Sequence, residues 1–263
     1  MDWIEANGVA LRYELSGDCG PLVVLVHEMG GTLESWDGVM PRLRAGRRLL
    51  RYDTRGAGQS EKIHGSVHTD TMAADLLGLL TVLGIDGPVA LVGCAVGAGI
   101  AMRFSMLHPE RAAALVAMAP ATGVPKDRQA ATEERAARME TLGARGVVEE
   151  SFANSYPTEV RHDLDVYRRF RTRWLANDPE SYAAIYRSLI TSPVQDELSR
   201  IACPTLLLAG IHDRLRPPAM IEPLASRIPG AAFRPLDTGH FMAVQTPDLV
   251  AGVIDDFLHS VGQ

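Results

Sequence analysis

The sequence predicts an α/β fold with a mainly parallel, doubly wound sheet, on three observations. Continuous apolar runs such as "PLVVLVHEM", "GPVALVG", "AALVAMAP" and "CPTLLLAG" read as strands buried on both faces. Stretches with helical spacing alternate with these runs, as in parallel strands joined by crossover helices. The chain has 263 residues, 46% of them hydrophobic, enough to bury one sizeable core.

In chain order, "ANGVALRYELSG" alternates apolar and polar residues around Asn7-Gly8 and reads as an edge hairpin. "PLVVLVHEM" is the first buried strand, "TLESWDGVMPRL" a short amphipathic helix and "RRLLRYDTRG" the next strand. "TDTMAADLLGLLTVLGI" has helical spacing with Thr69 or Asp70 as its cap. "GPVALVG" is a strand, "AGIAMRFSMLHPERA" a helix and "AALVAMAP" a strand. From about Lys126 to Arg200 the chain is polar and helical with no clear strand. The α/β alternation resumes with "CPTLLLAGIHD", "AMIEPLASRIPG", "AAFRPLDTGH" and a last helix, "PDLVAGVIDDFLHSVG". The expected organisation is a core of residues 1–125 and 201–263, with residues 126–200 inserted as a helical cap over the carboxyl ends of the strands, where open α/β sheets bind ligands.

Composition removes several function classes. The net charge is −6 with an isoelectric point near 5.8, and no basic stripe is present, which argues against nucleic acid as a partner. No apolar run approaches the ~18 residues of a membrane span, and the first residues lack the basic start and apolar core of a secretory signal, so a cytoplasmic protein is expected. Cys19, Cys94 and Cys203 are too few and too scattered for a disulfide framework, and no metal-ligand spacing is visible. "GCAVGAG" spaces its glycines as G-x-x-x-G-x-G and follows a late strand, unlike a dinucleotide loop, so no nicotinamide cofactor, and no cofactor of any kind, is implied. Oligomeric state has no signature in the sequence.

Chemistry-bearing residues gather at predicted strand ends. Gly93, Cys94, Ala95, Val96 and Gly97 form a strand-to-helix turn with the glycine spacing of G-x-S-x-G, but with alanine in the middle. Asp213 follows an apolar strand in "AGIHDRLRPP", and His240 follows the last strand in "LDTGHFM". Upstream lie "VHEMGG", Val26 to Gly31, and the D-x-R-G-x-G-x-S turn "YDTRGAGQS". No acid follows the strand ending in "MAPAT"; each taken alone, Asp213 also fits a turn or cap aspartate and His240 a structural histidine. His27 is read as bracing its loop, Trp36 and Phe241 as pocket wall or core, and His108 and His212 as weaker candidates. The run Arg168, Arg169, Arg171, Arg173 reads as a solvated helix face.

In the order elbow, acid, histidine, these motifs resemble the α/β-hydrolase superfamily over essentially the whole chain, and within it the capped hydrolases related to 3-oxoadipate enol-lactonases. The resemblance implies hydrolysis of a small-molecule ester or lactone. It makes His240 a general base oriented by Asp213, and the amides of Met29 and Val96 the donors to a developing oxyanion. Two positions depart from the pattern: Ala95 stands where the nucleophile belongs, and Glu28 where glycine usually follows the loop histidine. Four readings stay open. The chain is an inactive variant with serine changed to alanine, or a natural site in which Glu28, His240 and water carry hydrolysis or another proton-transfer reaction such as isomerisation or elimination. Alternatively Cys94 takes over as nucleophile, or the fold serves as a small-molecule-binding module. Cys94 still lies on the strand, so its side chain is expected to point away from the direction taken at residue 95.

Overall fold

A computed structural model describes residues 1–263. Eight strands form one sheet: β1 (Asp2–Ala6), β2 (Val9–Ser16), β3 (Leu22–Val26), β4 (Arg48–Tyr52), β5 (Val89–Cys94), β6 (Ala112–Met118), β7 (Thr205–Gly210) and β8 (Ala232–Leu236). Their order is β1-β2-β4-β3-β5-β6-β7-β8, antiparallel at β1–β2 and β2–β4 and parallel from β4 onward. The antiparallel edge is the hairpin around Asn7-Gly8. β3, β5 and β7 are buried at every residue, because helices cover both faces.

The helices are α1 (Met40–Leu43), α2 (Thr69–Val82), α3 (Val96–Leu107), α4 (Gln129–Leu142), α5 (Val148–Ser155), α6 (Leu164–Leu175), α7 (Pro179–Ser188), α8 (Pro218–Ala225), α9 (Met242–Gln245) and α10 (Pro247–Ser260). Two local expectations change. "TLESWDGVMPRL" is a 3-10 turn at Leu33–Trp36 followed by the short α1, because Gly38, packed against Pro247, and Pro41 interrupt a single helix. The cap position of α2 is His68, and Asp70 instead pairs with Arg103 of α3 at 2.6 Å.

The chain crosses from β4 to α2 through the turn containing Asp53. The fully buried Asp53 carboxylate accepts from the amides of Leu33 and Gln59, both at 2.8 Å, and pairs with Arg12 at 3.2 Å. Arg12 also reaches Glu34 at 2.6 Å, and the Thr32 hydroxyl donates to Glu34 at 2.6 Å. This web ties the hairpin, the loop after β3 and the turn after β4 into one unit, so the turn motif has a bracing role. Burial works to raise the Glu34 pKa, but the hydrogen bonds from Arg12 and Thr32 prevail and hold it at about 2.

Between β6 and β7, α4 to α7 form the helical insert. It has its own apolar cluster, which includes Phe152, Tyr156, Phe170 and Trp174 and takes in Phe241 from the loop after β8. The Phe241 and Phe170 rings lie 4.7 Å apart. Trp174 packs on Gly30 in the loop after β3, and the Asn177 amide donates to the Gly30 carbonyl at 3.0 Å. The Ser155 carbonyl accepts from the amide of His240 at 3.2 Å and from the Gln245 side chain at 2.9 Å. The insert is therefore bonded to the loops that carry residues 29 and 240.

Two outcomes follow. Gly30 has φ +80°, and a Cβ there would overlap the Trp174 indole, so Gly30→Ala should lower unfolding free energy by about 1–3 kcal/mol and shift tryptophan emission, read in one urea titration. A depressed carboxylate pKa contributes stability above its unfolded value and loses it as pH falls through the folded one. Glu34→Gln should therefore destabilise at neutral pH, and its deficit against the parent should shrink as pH falls from about 4.5 toward about 2.

Candidate active site

The site begins with a backbone constraint. Gly93, next to last in β5, lies against the first turn of α3, and Gly97 lies against the Val26 carbonyl, so a Cβ at either would overlap main-chain atoms. This close crossing forces a sharp turn at Ala95, with φ 51° and ψ −112°. The turn is fixed by the Ala95 amide donating to Met118 at 2.8 Å and by its carbonyl accepting from Ala121 at 2.9 Å and Gly99 at 3.1 Å.

Ala95 faces a cavity of about 190 Å³ between sheet and insert, lined also by Met29, Val96, Trp174, His240 and Phe241. His240 Nδ1 lies 2.7 Å from Asp213 Oδ2. The other Asp213 oxygen accepts from the amides of Leu215 at 2.8 Å and Arg216 at 3.0 Å. Burial works to raise the Asp213 pKa, but His240 and the two amides hold it below the usual carboxylate value. An ionised Asp213 only accepts, so the His240 proton sits on Nδ1 and the Nε2 lone pair is free. The amides of Val96 and Met29 donate to no acceptor in the chain, and both residues line the cavity with Ala95 and His240. The site thus offers a base, a fixed acid behind it and two unengaged donors.

Four sequence-singled residues lie elsewhere. Trp36 is fully buried beneath the sheet with Val39, Leu43 and Leu49 and does not line the cavity. Cys94 is also fully buried, because strand alternation turns it from the cavity; its thiol donates to the His240 carbonyl at 3.4 Å. Burial and the nearby Glu28 push that thiol well above its ordinary pKa, which disfavours the thiolate. Glu28 does not join the cavity either. Its carbonyl accepts from Gly31 in a tight turn, and its carboxylate accepts from the Ser35 hydroxyl at 2.7 Å. His27 accepts the Thr54 amide at Nε2, 3.0 Å, so its Nδ1–H donates to the Glu28 carbonyl at 2.7 Å. His27 and Glu28 line a separate pocket of about 10 Å³.

His108 packs on Phe104, and His212 bonds Asp237 at 2.8 Å near the surface. Arg168 pairs with Asp165 and Arg171 with Glu149 on the outer face of α6, and none of the four arginines there lines the cavity. The arginines that do are Arg128, Arg135 and Arg216, which the sequence reading passed over. The available signal for Arg216 was its place three residues after Asp213 in the loop that holds the acid.

Known proteins share this architecture. A family model described as the alpha/beta hydrolase fold matches residues 21–247. The chain is 24% identical to 3-oxoadipate enol-lactonase 1 of Acinetobacter baylyi, over 97% of this chain and 95% of that one. A thermophilic esterase from Thermogutta terrifontis, solved with malate bound, superposes with a TM-score of 0.93 at 27% identity, covering 100% of both chains. The enol-lactonase of Burkholderia xenovorans does so with a TM-score of 0.91 at 25% identity, covering 98% of this chain and 100% of that one. Eight mainly parallel strands, a helical insert and a match over most of its length show that this chain belongs to the α/β-hydrolase fold family.

Proposed function

We propose that the protein hydrolyses a small carboxylic ester or lactone by direct attack of water. The observation that carries this reading is the Asp213-oriented His240, with a free Nε2 in the cavity that Ala95 lines with only a methyl group. A side chain without a hydroxyl leaves room for a water within reach of Nε2. His240 takes a proton from that water as its oxygen bonds to the substrate carbonyl carbon. The carbonyl oxygen becomes an oxyanion and accepts from the amides of Val96 and Met29. Collapse breaks the ester C–O bond, and the leaving alkoxide takes the proton from Nε2. An ester yields an acid and an alcohol; a lactone yields one hydroxy acid.

Relatives support the substrate class: one is named an enol-lactonase and another an esterase. Residues 126–200 serve as a cap that shapes what enters. Glu28 has no part in this scheme, since its carboxylate is turned to Ser35.

Steady-state hydrolysis of p-nitrophenyl acetate and of small lactones tests the proposal. The parent should show slow turnover, and His240→Ala should lower kcat/KM by about 10²-fold. Ala95→Ser should raise it by at least about 10²-fold, by supplying a nucleophile to an assembled base and oxyanion site. A parent no faster than His240→Ala on every ester and lactone would sink the catalytic reading and favour a binding module.

A further inference from the structure

We propose that the last turn of α5 clamps the Asp213–His240 pair together, and that Gln245 is the positioning residue that closes this clamp on His240; the reaction it serves is the hydrolysis proposed above. The clamp starts from a helix end, where the last carbonyls have no partner within the helix. Pro157 follows α5 with extended backbone, and a proline has no amide to return. The orphan carbonyls are taken by the two loops that carry Asp213 and His240. The Asn154 carbonyl accepts from the Arg214 amide at 3.2 Å, and the Ala153 carbonyl from the Arg214 guanidinium at 3.5 Å. The next carbonyl, that of Ser155, accepts from the His240 amide at 3.2 Å and from Gln245 Nε2 at 2.9 Å. Consecutive carbonyls of one helix therefore hold the neighbour of Asp213 and His240 itself, whose side chains meet at 2.7 Å.

Gln245 ends α9 and lies in the same loop region as His240, so that region grips one carbonyl at two points. Its amide approaches closely over Gly239, where a Cβ would lie 2.8 Å from both of its polar atoms. Gln245 Oε1 is buried and meets no donor in the chain. A buried orphan acceptor is a cost that an apolar side chain of similar length would not carry. Packing alone does not call for glutamine at this position; holding the Ser155 carbonyl in line does. The His240 main chain is then fixed at both ends, since its carbonyl accepts from the Cys94 thiol at 3.4 Å. With the backbone fixed, the imidazole meets Asp213 through Nδ1 and leaves Nε2 free on the cavity wall.

Proton NMR and steady-state kinetics on the intact protein test this. The NMR probe is the His240 Nδ1 proton in its bond to Asp213, a far-downfield resonance identified by its absence in His240→Ala. Gln245→Met keeps the side-chain length and removes both polar atoms. It should shift or broaden that resonance, lower kcat on p-nitrophenyl acetate by about tenfold or more and leave KM within about twofold. Its urea midpoint should stay within about 0.5 M of the parent, because one hydrogen bond and one orphan acceptor are lost together. Gln245→Asn keeps the amide but is one methylene too short for Ser155. It should behave as Gln245→Met does, and it carries the test alone if the methionine variant does not fold. A parent without the resonance, or a resonance unmoved by both substitutions, would overturn the proposal. So would a loss expressed in KM with kcat kept, or a fall in urea midpoint well beyond that range, which would make Gln245 a packing residue. If the parent turns over no ester, the hydrolytic reading fails and the resonance alone decides the positioning claim.

Discussion

Everything in the site hangs on the crossing of β5 and α3 over the Val26 carbonyl. Glycine at 93 and 97 lets the two elements touch, and the turn between them drives Ala95 into a conformation that costs about 1–3 kcal/mol. Hydrogen bonds from β6 and from the segment after it hold the strain in place. The geometry acts on the backbone, so it aims residue 95 and the Val96 amide at the cavity whatever side chain residue 95 carries. The turn therefore keeps its shape, and its place beside the Asp213-bonded His240, with alanine at its apex.

Around this turn, loops from several strand ends must agree in position to within a fraction of an ångström. The core alone does not hold them. The loop after β3 is tied to the insert by Trp174 and Asn177, and the loop after β8 by Ser155 and the aromatic cluster around Phe241. Arg216, which lines the cavity, stands on the loop that holds Asp213.

The sheet was legible because buried parallel strands write themselves as unbroken apolar runs, and the helical insert because its polar, amphipathic stretch contains no such run. The meeting of Asp213 with His240 was legible for a related reason: strand ends of a parallel sheet lie on one edge, so residues placed just after strands converge. Side-chain direction was less accessible. Strand alternation foretold that Cys94 turns away, whereas nothing in the sequence shows that Trp36 lies under the sheet or that Glu28 folds back to Ser35. Arg216 escaped notice because it sits in an aperiodic, proline-rich loop, where no pattern says which way a side chain points. The arginine run on α6 has a period, and that period turns it to solvent.

The central claim is that water, and no side chain, attacks the carbonyl carbon beside Ala95. Rapid mixing of excess p-nitrophenyl acetate with the parent, followed by quench and intact-protein mass measurement, addresses it directly. The account predicts linear release of nitrophenol from the first turnover and protein of unchanged mass. A burst of one equivalent, with acetylated protein trapped at the quench, would place a covalent nucleophile in the site and contradict it.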